Sequence, residues 1–288
     1  MLLSNHIFTN KPMRRLRSLI ASSALVCITT WAQAENKVLF IGNSYTFGAG
    51  GTQGVPDIFD ALANAGGQED PTTVMRAVGG KDYKFHYENS SEFIQQEAWT
   101  HVILQNYSTQ PTHIKNTQDH FDYGTRLYQA IVANNADTQV MLYMTWARAA
   151  AHSLISGEST PKSFSSTDEM LEELRSNYYA LAEQLSKANP DKLPTVVNPV
   201  GLAWKAAGGN LPADAERFID LFDKDKHHGN DRGYYLSACV HYACIYQASP
   251  EGLFTHPEIR ALKLKISAEE AALLERAAWE TVSKQNED

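Results

Sequence analysis

Five short apolar runs, each ending where polar or glycine residues begin, are separated along this 288-residue chain by amphipathic stretches of helical period. The runs span 37–41, 73–77, 101–104, 139–144 and 195–197 and are only three to six residues long, as strands covered on both faces should be. Between and after them, helical patterns cover 116–134, 168–188, 231–247 and 268–283. The first helix has Pro56 near its start, Ile58, Phe59 and Leu62 on one face, and Gly66-Gly67 as its stop. Ser267 and Glu270 form a capping box for the last. Strand and helix alternating in this order predict an α/β fold, a parallel sheet with helices on both faces. The segment 148–167, rich in Ser, Gly and Thr, reads as a long loop after the fourth strand, on the edge of the sheet where ligands bind.

The first 34 residues differ from the rest. Lys11, Arg14, Arg15 and Arg17 precede an apolar run from Leu19 to Trp31, and Ala32-Gln33-Ala34 follows it. That order predicts a secretory signal peptide over 1–34, cut before Glu35, with Met13 as an alternative start. The run is too short for a span of roughly 20 residues, and Cys27 lacks the small residues of a lipoprotein site before it, so no stable membrane anchor is expected. The expected product is exported, periplasmic or extracellular, with residues 35–288 as one domain and no linker dividing them. Losing four basic residues takes the formal net charge from −8 to −12, which argues against nucleic acid as a partner. Cys239 and Cys244, five apart on one helix, point in different directions, so no disulfide framework is expected.

The chemistry centres on the turn after the first run, in "VLFIGNSYTFGAGG". Ser44 stands where strand one meets a helix, among unpaired N–H groups that can hold an oxyanion. Asn43, Ser44 and Thr46 are also ordinary helix-capping residues. A nucleotide loop fails on spacing, because Gln53 occupies the position of the third glycine and no Gly-Lys-Ser/Thr follows. A reactive hydroxyl needs a base oriented by a carboxylate, and "LFDKDKHHGNDRGYYL" supplies Asp225 three residues before His228. Metal binding by His227 and His228 is the competing reading there. Adjacent histidines seldom share one ion, so no metal is expected.

Two of these stretches resemble the GDSL/SGNH hydrolases. "IGNSYT" is similar to the Gly-Asp-Ser block that opens that family after strand one, and "DKHHGNDRGYYL" to its closing Asp-x-x-His-Pro-x-x-x-Gly block. The resemblance implies a three-layer α/β/α sandwich with a flavodoxin-like parallel sheet. It further implies a Ser44 nucleophile, His228 as general base and Asp225 orienting it, with no cofactor. The oxyanion hole it implies comprises the N–H groups of Ser44 and Gly80, with Gly79 as alternative, and a side-chain amide from Gln105 or Asn106. Gln105 is preferred, because a Leu-Gln run at this place looks like an exported subgroup of the superfamily. Asn43 and Gly229 replace the family's usual Asp and Pro, and the Gly-x-Asn-Asp wording of the third block is missing. The implied activity is hydrolysis of a short acyl ester, small or on a glycan, such as an O-acetyl group on a carbohydrate. The alternative is an inactive glycan-binding or interaction protein on the same fold. Tyr45, Phe47, Tyr107, Trp146 and Trp204, near strand ends and helix starts, are candidates for stacking on sugar rings, against ordinary core packing.

Overall fold

The structure, a computed structural model, describes residues 36–68, 70–158 and 161–285. The leader expected over 1–34, with Met13 and Cys27, lies outside the described residues. No helix among the described residues is long and apolar enough to cross a membrane.

Five strands form one parallel sheet: β1 Lys37–Gly42, β2 Thr72–Ala77, β3 His101–Leu104, β4 Gln139–Tyr143 and β5 Val196–Asn198, in the order β2-β1-β3-β4-β5. The five expected runs are the five strands, each within a residue or so of its predicted bounds. The order reverses at β1, so the crevice between the ends of β1 and β3 is the switch point where ligands bind in sheets of this kind. Alternation along the strands fills two separate cores. Val38, Phe40, Ile103, Met141 and Tyr143 face one side, and Leu39, Ile41, Val102, Leu104, Val140 and Leu142 face the other. The edge strand β2 departs from the apolar pattern of the rest: its residues are exposed or half-buried, and Met75 lies open to solvent.

The helices, in chain order, are α1 Ser44–Phe47, α2 Val55–Ala65, α3 Tyr83–Asn89, α4 Ser91–Gln95, α5 Thr117–Asn134, α6 Ser153–Ser156, α7 Thr167–Ala188, α8 Val200–Ala206, α9 Asp231–Tyr246, α10 Pro257–Ala261 and α11 Ala268–Gln285. Side chains of α2, α8, α9 and α11 fill the first core, and those of α3, α4, α5 and α7 the second. The layers are therefore helix, sheet, helix, as expected. α9 is buried along almost its whole length, with Tyr234, Tyr235, Leu236, Cys239 and Val240 inaccessible. Both of its cysteines are unpaired. Among the described residues, the segment 148–166 after β4 is loop apart from the single turn α6, as expected, but its start is buried. Residues 144–149 are buried, and only from Ala150 on does the chain reach the surface.

Candidate active site

β1 ends at Gly42, where a side chain cannot be accommodated: a Cβ there would collide with Thr46 Oγ1 and lie 2.6 Å from Gln105 Oε1. Asn43 caps the single turn of α1, its Oδ1 accepting the Tyr45 N–H at 3.1 Å. Its Nδ2 donates to Lys81 O at 2.8 Å, tying this turn to the loop after β2. A carboxylate at position 43 could not donate that bond, which gives the asparagine a physical reason. Ser44 is thus presented from a turn fixed on three sides. The Tyr234 hydroxyl, from α9, donates to its carbonyl at 3.0 Å.

The second half of the site is the loop between Leu221 and Asn230. Asp223 N–H donates to His228 O at 2.8 Å and Asn230 N–H to Leu221 O at 3.0 Å, so the loop closes like a hairpin. Lys226 occupies the left-handed region (φ 63°) at its tip. Asn230 then caps α9 through the N–H groups of Arg232 and Gly233. Within this loop, Asp225 Oδ1 accepts the backbone N–H groups of His227 and His228 at 3.0 and 2.9 Å, and Oδ2 lies 2.6 Å from His228 Nδ1. His228 Nε2 stands 2.7 Å from Ser44 Oγ. Residues 184 positions apart are thereby in hydrogen-bond contact, and Ser44, His228 and Asp225 form a continuous chain. Partial burial pushes the Asp225 carboxyl up. The bonds from the His228 ring and from the two backbone N–H groups outweigh it and bring the carboxyl down to about 2.

His227 is not in this chain. Its Nδ1 faces Asp225 O at 3.3 Å, and burial, followed by the nearby Arg148 guanidinium, lowers its pKa. Asp225, His227 and His228 lie close enough to be considered as metal ligands. In the arrangement seen, Asp225 Oδ2 and both ring nitrogens of His228 are already engaged with one another and with Ser44.

These groups open onto a cavity of about 150 Å³ lined by Asn43, Ser44, Gly80, Tyr107, Arg148 and His228, among others. Gly80, in the left-handed region (φ 69°), lines it, and Gly79 does not. Neither the Ser44 N–H nor the Gly80 N–H has an acceptor among the described residues. Gln105 and Asn106, the alternatives the resemblance implied as amide donors, do not line the cavity. Gln105 Oε1 accepts the Asn43 N–H at 2.7 Å and the Thr46 hydroxyl at 3.1 Å, while its Nε2 is bonded to Asn106 O. Asn106 Oδ1 accepts the N–H groups of Tyr83 at 3.0 Å and Tyr107 at 2.8 Å, and its Nδ2 meets His120 Nδ1. The end of β3 is inaccessible to solvent, so its polar side chains are satisfied internally and serve to lock three loops together.

The aromatic residues divide. Tyr45, Trp146 and Trp204 stack on one another, with centroids 4.3 and 4.0 Å apart, and all are buried. They form a column at the site, in which Tyr45 lines the cavity and Trp146 and Trp204 do not. Tyr107 lines the cavity, and Phe47 is exposed. Sequence reasoning missed Ser108 and Arg148, both buried and both lining the cavity. The one available signal was an isolated arginine in the apolar stretch "MTWARAA" directly after a strand.

No family model matches the chain, and no curated protein matches it. Solved structures do. A DUF4886 family protein from Bacteroides uniformis is similar at 16% identity over 88% of this chain and 96% of that one, with a TM-score of 0.60. A candidate SGNH hydrolase from Slackia heliotrinireducens is similar at 20% identity over 72% of this chain and 97% of that one, with a TM-score of 0.54. A lipase/acylhydrolase from Enterococcus faecalis is similar at 16% identity over 74% and 96%, with a TM-score of 0.52. The fold of this chain is the SGNH hydrolase fold, as its two motif blocks implied.

Proposed function

We propose that the protein is a serine esterase that cleaves a short acyl ester through an acyl-enzyme, with Ser44 as nucleophile, His228 as general base and Asp225 orienting the imidazole. The observation that carries this reading is the continuous chain Ser44 Oγ, His228 Nε2, His228 Nδ1, Asp225 Oδ2, with contacts of 2.7 and 2.6 Å. Capping alone would not require a histidine at the hydroxyl.

In the proposed reaction, His228 Nε2 takes the Ser44 proton as Oγ bonds to the ester carbon. Charge develops on the carbonyl oxygen, toward which the free N–H groups of Ser44 and Gly80 donate. Asp225 remains a carboxylate and stabilises the imidazolium without accepting its proton. The tetrahedral adduct expels the alcohol, which leaves with the proton from His228 Nε2. Water then attacks the acyl-Ser44, giving its proton to His228, and the carboxylic acid departs as Ser44 recovers its hydrogen.

The cavity at Ser44 is small, about 150 Å³. That room suits a short acyl group and the first atoms of its alcohol better than a fatty chain. An acetyl group on a carbohydrate hydroxyl is one ester of this size. Export follows from the leader-like sequence of residues 1–34. Intact mass of the exported protein tests it: a chain starting at Glu35 is expected, and retention of residues 19–31 in a membrane fraction would overturn it.

The decisive test is labelling with a serine-directed phosphonate together with hydrolysis of a small activated ester. Wild type should be labelled at Ser44 and be active. Labelling elsewhere, or no turnover in a folded protein, would overturn the reading.

A further inference from the structure

Arg148 is the one charged group lining the cavity that the proposed chemistry leaves idle. It follows β4, is 5% exposed, and lines the same cavity as Ser44 and His228. Its Nη1 donates to the Tyr45 hydroxyl and its Nη2 to Ser108 Oγ at 2.9 Å, while the buried Nε finds no partner. A guanidinium has five N–H donors and keeps its charge throughout the physiological range. Among the described residues the guanidinium makes two hydrogen bonds, both to neutral hydroxyls.

Among the described residues no carboxylate pairs with that charge. None of the ion pairs among the described residues includes Arg148. The oxygens of Asp225 are filled by the His228 ring and two backbone N–H groups. Burial raises the Tyr45 phenol above its usual range, so Tyr45 stays neutral. His152 and His227 are lowered by burial and then by Arg148 itself. An uncompensated buried charge is strongly disfavoured, and a site normally supplies the counter-charge. The ring face of Tyr45, 5.8 Å from the guanidinium carbon, offsets only a small part of this.

We infer that Arg148 recognises a carboxylate of the substrate, so that the ester cleaved at Ser44 is a carboxylate-bearing one, with the anion a few bonds from the scissile carbonyl. The inference deepens the esterase reading and rests on it. A planar carboxylate matches the fork of a guanidinium with open N–H donors, and the small cavity limits how far the anion can stand from the reacting carbon. Strand order gives the direction. Gly80 follows β2 and Arg148 follows β4, on opposite sides of Ser44, which follows β1. The carbonyl oxygen points to the Gly80 side, and the carboxylate lies on the other. The rival account makes Arg148 a distant counter-charge to Asp225, which predicts no preference for charged esters.

The test compares charged esters with neutral twins. Monomethyl succinate and methyl succinamate place the carboxylate, or its amide, on the acyl side. Acetoxyacetate and acetoxyacetamide place it on the alcohol side. Binding is measured by calorimetry on Ser44→Ala, in which Arg148 is intact and the esters persist. At least one charged ester should bind tenfold or more tighter than its twin, and adding Arg148→Met should remove the difference. In wild type the same pair should differ by at least tenfold in kcat/KM, followed by proton release. Equal affinity within both pairs on Ser44→Ala would overturn the inference and leave the esterase reading standing. Failure of wild type to hydrolyse any of the four, with Ser44 unlabelled by phosphonate, would overturn the esterase reading, and the binding comparison would still decide whether Arg148 holds a carboxylate.

Discussion

Gln105 holds the backbone of Asn43: its Oε1 accepts the Asn43 N–H at 2.7 Å, across 62 residues of sequence and with both groups buried. The side chain that sequence resemblance offered as an oxyanion donor therefore binds the residue before the proposed nucleophile, where a positioning group would stand. Gln105→Ala should leave that N–H buried without a partner, at a cost of about 1–3 kcal/mol, in addition to the lost packing. Urea unfolding alongside kcat on a small ester distinguishes the roles. A group that only held the oxyanion would lower kcat by about 100-fold without changing stability. Undiminished stability in Gln105→Ala would refute the positioning role.

Substitutions at two neighbouring histidines separate general base from bystander. His228→Ala and Ser44→Ala should each abolish hydrolysis, whereas His227→Ala, which removes no link of the Ser44–His228–Asp225 chain, should keep most of it. Asp225→Asn should fall between, since an amide oxygen can still accept from the imidazole while its charge is gone. If the same cluster served a metal, losing either histidine would hurt and a chelator would inactivate wild type. Initial rates with and without chelator read out all of these outcomes.

How much of this was legible in sequence depends on what each residue touches. Four strands were, because burial on both faces leaves a mainly apolar run; the edge strand β2 was legible despite its exposed and half-buried residues. So was the Asp225-x-x-His228 spacing, because a three-residue separation inside one turn sets the geometry locally. The fate of Gln105 and Asn106 was not, since two adjacent amides at a strand end look alike until the loops of β1 and β2 pack against them. Arg148 was missed for a related reason. Arg148 opens the segment 148–167, whose Ser, Gly and Thr read as loop surface, and only the docking of Ala149 N–H on Lys226 O, at 3.1 Å, shows that its start runs under the Asp225 turn. Trp146 and Trp204, 58 positions apart, likewise revealed their stacking only in three dimensions.

Stability should fall as the medium is acidified from neutrality. His86, His120 and His241 are inaccessible to solvent, and burial lowers them to about 4, about 3 and about 3. Between those values and pH ~6.5 the unfolded chain binds protons that the native one refuses, so unfolding is favoured as pH drops. Each histidine then costs about 2 kcal/mol between pH 7 and pH 5. Asp225, brought down to about 2, contributes in the same direction only below its ordinary range near pH 4. Urea midpoints at pH 7 and pH 5 should differ clearly, and by less in His241→Gln. An unchanged midpoint would mean that these rings take up protons without unfolding.

Trp146 joins the aromatic column to the Asp225 loop. Trp146 lies between Tyr45 and Trp204, nearly parallel to both at 8° and 6°, and its Nε1–H donates to His227 O at 2.9 Å. One ring therefore touches the residue after Ser44 and the residue before His228, and fixes the two halves of the proposed site relative to each other. Trp146→Phe keeps an aromatic ring in the column and removes the donor. Loss of one hydrogen bond should cost about 1 kcal/mol of stability, with a further contribution from the smaller ring. The effect on turnover should be larger than that loss suggests, because a shift of about 1 Å at a reacting group can cost 100-fold. The drop should appear in kcat and in the rate of phosphonate labelling, and KM for a small ester should change little. A variant that loses stability while labelling at the wild-type rate would show that the Asp225 turn keeps its place through its own backbone bonds, and that the column supports the core alone.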